Sequence, residues 1–133
     1  MLDYETDNFT QIANKCHQYI EIAKLSFNKV LEIDPNNIQA LEGLAIVYYN
    51  QGAKLVKELS IDTPLDQMDP MQENARKYFK QALPYMQKAY ENKPEDPKII
   101  QGLSGIYWAL HDYEKHKEFI KKLDQIKKKS EQK

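Results

Sequence analysis

Few residues in this chain could do chemistry, and their spacing decides what they can do. His17, His111 and His116 are the three histidines, and Cys16 is the one cysteine. A zinc centre needs several such ligands at fixed spacing, as when two histidines four apart share one helical face. His111 and His116 are five apart and no H-E-x-x-H occurs, so both are expected as surface or packing residues. Cys16 falls on the apolar side of a helical stretch with no activating neighbour, and is expected as a small core residue. Asp62, Asp66 and Asp69 resemble a calcium loop in composition only. Their spacing is wrong and no Glu follows at the required offset, so they read as a solvated loop. Asn8-Phe9-Thr10 fits the glycosylation pattern, which is common by chance. The chain has no G-x-S-x-G, no phosphate loop and no paired carboxylates. No catalysis, cofactor or metal is expected.

The totals narrow the classes further. A chain of 133 residues suffices for one domain. Only four glycines argue against a turn-rich β fold. The net charge of -1 leaves no electrostatic footprint for nucleic acid or acidic lipid. One cysteine allows no internal disulfide. Apolar runs are too short for a membrane span, and the acidic start "MLDYETDNFTQ" lacks the apolar region of a signal peptide. The cytoplasm is therefore the default expectation. A periplasmic or exported protein trimmed of an upstream signal would read the same.

Helices must position whatever these side chains do. Residues 8–33 lack Gly and Pro, and Phe9, Ile12, Cys16, Tyr19, Ile20, Ala23, Phe27, Val30 and Leu31 recur at three-four spacing. "DPNN" ends that helix at Asp34. A second helix is expected from Ile38 to about Leu59, then a loop over 60–70. Asp69-Pro70 reads as an N-cap and first turn, opening a third helix over 70–92. Pro84 lies inside it, yet the apolar stripe stays in phase from Tyr78 and Ala82 to Met86 and Ala89. The reading is one helix kinked near Pro84, where the Lys80 carbonyl loses its backbone donor. Lys98–Leu110 and Tyr113–Lys128 complete five helices, and the basic tail 129–133 is expected to fray.

The sequence also repeats itself. Shifted by 59 residues, Gly43 falls on Gly102, Leu44 on Leu103, Tyr48 on Tyr107 and Tyr49 on Trp108. Upstream, Ala23 falls on Ala82, Lys29 on Lys88 and Pro35 on Pro94. Leu41-x2-Leu44-Ala45-x2-Tyr48 and Ile100-x2-Leu103-Ser104-x2-Tyr107 resemble the first helix of a tetratricopeptide repeat. Ala23-x3-Phe27 with Pro35, and Ala82-x3-Met86 with Pro94, resemble its second helix. "HDYEKHKEFI" resembles the entry to a last second helix, with His111 in place of Gly and His116 in place of Ala. The bulkier His116 is expected to loosen helix approach there. The period exceeds the usual 34 residues of such a repeat, which fits an insertion between Tyr48 and Ala82.

This resemblance, shared with C-terminal regions of uncharacterised bacterial repeat proteins, implies an all-α, antiparallel helix-pair solenoid. One domain would span 1–133: an unpaired second-type helix over 8–33, an expanded repeat over 38–92 and a last repeat over 97–128. It also implies a groove lined by Gln39, Glu42, Ile46, Tyr49 and Asn50, with Lys98, Gln101, Gly105, Trp108 and Ala109. Tyr48, Tyr78 and Tyr107 are expected in the core. The implied function is binding of a protein or peptide partner, with no nucleic acid and no membrane insertion. Glu42 and Ile46 stand where a carboxylate clamp would want basic and amide side chains, so binding to a chaperone tail is not expected. The alternative is structural. The first helix lacks its own partner, so it would pair with a second copy or upstream repeats, or be covered by Leu2 to Phe9.

Overall fold

The structure, a computed structural model, describes residues 4–59 and 62–131, with residues 4–14 described by their backbone alone. The described residues are all-helical. α1 spans Tyr4–Ile33, α2 Ile38–Glu58, α3 Leu65–Asn92, α4 Pro97–Ala109 and α5 Tyr113–Glu131. Each helix packs on the next in chain order. No described helix is long and apolar enough to cross a membrane.

Local chemistry sets the boundaries. Asn37 caps α2, its side chain accepting from the Ala40 amide at 3.0 Å. Asp96 caps α4 by accepting from the Lys98 amide at 2.9 Å, with Pro97 in the first turn. Such caps satisfy amides that the helix itself leaves unpaired. α4 ends with Asp112 N–H on the Tyr107 carbonyl and His111 N–H on the Trp108 carbonyl. That paired closure needs a left-handed residue, and His111 supplies it at φ 63°.

Three boundaries differ from the sequence reading. α1 begins at Tyr4, before residue 8. α3 begins at Leu65 with Pro64 as its cap residue, so Asp69-Pro70 lies inside the helix and the connection is shorter than 60–70. Pro70 deprives only the Asp66 carbonyl of a donor, and Asp66 and Asp69 near the helix start complement its dipole. α5 stays helical to Glu131, where 129–133 was expected to fray. Lys128 and Lys129 in its last turn favour this end of the dipole. Gln132 and Lys133 lie outside the described residues. α3 runs unbroken through Pro84.

The core is built by α2, α3 and α4, with Phe119 and Leu123 of α5 closing it. Leu41, Leu44, Ile99, Ile100, Leu103 and Ile106 are the largest fully buried side chains, each worth about 1.5–3 kcal/mol of burial. Tyr107 joins them, but Tyr48 and Tyr78, expected in the core, are only half-buried. Both belong to a seam where α1, α2 and α3 meet. Tyr48 stacks on Tyr85 at 5.9 Å, and the Lys24 ammonium lies 4.5 Å above the Tyr48 ring and 6.0 Å from Tyr78.

The internal repeat has a physical counterpart. A Cβ on Gly43 would overlap the Phe27 ring. A Cβ on Gly102 would come 2.7 Å from the Met86 methyl. In both copies a large apolar side chain sits directly on the next helix's backbone. Phe79 does likewise at Gly52, pulling together the long arms of α2 and α3. Tyr49 meets Phe79 on the same seam at 5.4 Å.

Candidate binding cleft

The helix order leaves an open cleft of about 540 Å³ beside α2 and α4. Ile46 and Tyr49 enter it from α2, and Lys98, Gln101 and Gly105 from α4. The spacing explains the convergence: 46 and 49, and 98, 101 and 105, are three or four apart and share a helix face. Capping at Asn37 and Asp96 fixes where each helix starts, and so which face looks into the cleft. Tyr49 is braced against Phe79, while Ile46 is 51% exposed. Lys98 takes part in none of the ion pairs formed among the described residues.

Gly105 is the distinctive element. A Cβ there would meet nothing within 4 Å. Unlike Gly43, Gly52 and Gly102, it makes room for no neighbour among the described residues. A helix-interior glycine costs about 1 kcal/mol relative to alanine. Here that cost keeps the floor of the cleft bare.

Five expected groove residues do not line the cleft. Trp108 is 57% exposed, but it sits at the α4–α5 corner, with Tyr113 edge-on at 5.1 Å and His116 tilted at 5.1 Å. The turn at His111 folds α5 back and brings both rings to it. Gln39 and Asn50 are exposed on α2 outside the cleft, and Glu42 is half-buried. Ala109 borders a separate small cavity with Val56, Phe79 and His111. Conversely, Met86, Ile120 and Leu123 line the cleft without having been singled out. Met86 was read as a core motif position, and the α5 pair belongs to an ordinary apolar stripe.

His116 overturns another expectation. Its Nδ1 donates to the Ser104 carbonyl at 2.8 Å, tying α5 to α4 where a loosened contact was anticipated. The ring fills the space a smaller residue would leave and satisfies its own nitrogen. Cys16 is exposed, not core, although it stands seven residues before Ala23 on the same side of α1; it borders an open pocket with His17, Ile20, Gln51 and Tyr78. The side chain of Asn8 lies outside those described. Among the described residues no three His, Cys, Asp or Glu side chains are grouped to hold a metal.

Among the described residues two side chains are shifted from their usual titration range, both outside the cleft. Burial raises the Tyr48 pKa, helped by Tyr85 and Glu21. The Lys122 pKa is raised chiefly by its hydrogen bond to the Tyr90 hydroxyl, at 2.9 Å. Lys122 also lies 4.6 Å above the Phe119 ring. Both arrangements pin helices together. Compared with protein-family models and with curated proteins, the sequence matches none.

Proposed function

We propose that this chain is a non-catalytic interaction module of the tetratricopeptide type, holding a peptide segment of a protein partner in the α2–α4 cleft. One observation carries the reading: the bare helix floor at Gly105, between Ile46 and Tyr49 on one side and Lys98 and Gln101 on the other. A partner's apolar side chains would rest on Gly105 and against Ile46 and Tyr49, with an acidic group reaching the unpaired Lys98. Partly exposed aromatic rims such as Tyr49 anchor peptides at modest entropic cost. The internal repeat and the glycine contacts common to both copies also favour the tetratricopeptide reading.

The test is a selection of short peptides from a displayed library against the whole chain, followed by affinity measurements on variants. Gly105→Leu projects into the cleft from a position where an added Cβ meets nothing within 4 Å. Tyr49→Ala removes the aromatic wall. Selected peptides should bind both variants at least about tenfold more weakly, with unchanged circular dichroism for Gly105→Leu. Equal affinity for Gly105→Leu and the parent would place binding elsewhere and overturn the proposal.

A further inference from the structure

The described half of α1 has two unlike faces. Ala23, Lys24, Phe27 and Leu31 turn toward the rest of the fold, with Phe27 over Gly43 and Lys24 over Tyr48. On the other side Tyr19, Ile22, Leu25, Val30 and Ile33 are all exposed. At 3.6 residues per turn they occupy an arc of about 140°. These five large apolar side chains share the arc with the exposed Ser26 and Lys29 and make its surface mainly apolar.

The pattern of this arc is self-complementary when inverted end for end about Ser26. Tyr19 then falls on Ile33, Ile22 on Val30, and Leu25 beside its own copy, with the small Ser26 at the centre where backbones can approach. The charges within and beside the arc agree. In an antiparallel pair each flank meets the same flank of the partner. Inversion brings Glu21 within two residues of Lys29, a rise of about 3 Å that a lysine side chain spans. Lys29 forms no ion pair among the described residues, and the Glu21 side chain is 56% exposed while reaching Lys24 at 3.6 Å. Two reciprocal Glu21–Lys29 contacts therefore run along one side of the arc, Lys29 between Ile22 and Leu25 and Glu21 just beyond Leu25.

We propose that this face binds a second copy of the chain, forming an isologous dimer through antiparallel α1 helices. The interface lies on α1, which contributes nothing to the α2–α4 cleft, so its success or failure is independent of peptide binding. Each dimer would present two clefts and so bind a repeated partner with avidity.

Sedimentation equilibrium of the full chain across a concentration series tests this. The parent should dimerise, and Leu25→Lys should be monomeric at every concentration with an unchanged helical spectrum, because Leu25 is exposed. Lys29→Glu and Glu21→Lys alone should each weaken the dimer at least about tenfold. Mixing the two restores both opposite-charge contacts, so the mixture should form heterodimers. A parent that stays monomeric, a dimer that survives Leu25→Lys, or a mixture no tighter than either variant alone would overturn the proposal.

Discussion

At the scale of single residues, two histidines stand where smaller residues would have been simpler. His116 turns its bulk into a cross-helix hydrogen bond to Ser104. His111 has no such compensation: it holds φ 63° to close α4, and its ring gains only the stacking on Tyr113 at 6.0 Å. A side chain in that conformation costs about 1 kcal/mol, which glycine avoids. His111→Gly should therefore raise the melting temperature by a few degrees, corresponding to about 0.5–1 kcal/mol. A thermal melt followed by circular dichroism checks it. The glycines show the opposite case. Gly43 and Gly102 sit under Phe27 and Met86, whereas Gly105 sits under none of the described residues.

At the scale of elements, α3 is the anomalous helix. It carries Pro70 and Pro84 in its interior and stays continuous. Each proline removes one donor, leaving the Asp66 and Lys80 carbonyls without helical partners. Both residues are exposed, so water can reach them. The helix survives because Ala75, Phe79, Ala82, Met86 and Ala89 bury one face against its neighbours. Tertiary packing, not propensity, holds it. Pro84 is itself exposed, so replacing it removes no buried contact. Pro84→Ala should stabilise the fold by about 1–3 kcal/mol, read as a higher denaturant midpoint. An unchanged or lower midpoint would mean that the proline's shape is required for α3 to follow α2.

At the scale of the whole molecule, a few aromatic–cation ties supplement the apolar packing between neighbouring helices, and these respond to alkali. Tyr48 keeps its proton more tightly folded than unfolded, because burial disfavours the phenolate. Lys122 does so because its ammonium donates to Tyr90. Both folded pKa values are raised, so both contributions are intact below the ordinary pKa values and are lost as pH rises through the folded ones. Stability measured by urea unfolding should hold between pH 7 and about 9.5 and fall above about pH 10. Tyr48→Phe should flatten part of that fall, since no phenolate can form at the seam.

The sequence alone determined the all-α class, five helices close to their observed positions, and the continuity of α3 past Pro84. Apolar period, caps and proline positions are local quantities, and local geometry suffices to read them. The resemblance to a tetratricopeptide repeat also grouped Ile46, Tyr49, Lys98, Gln101 and Gly105, and these five line the cleft. Only the tertiary structure decided which faces met. Trp108 has the same spacing credentials as Gln101, but the left-handed turn at His111 brings Tyr113 and His116 to its ring and leaves it at a corner. Cys16 has an apolar-stripe position, but α1 packs chiefly on α2, so part of its stripe stays in water. The start of α3 at Leu65 was hidden because Asp-Pro is an equally good first turn wherever it falls. Whether a stripe is core, cleft or open face depends on what packs on it, and that information lies in residues far away in the chain.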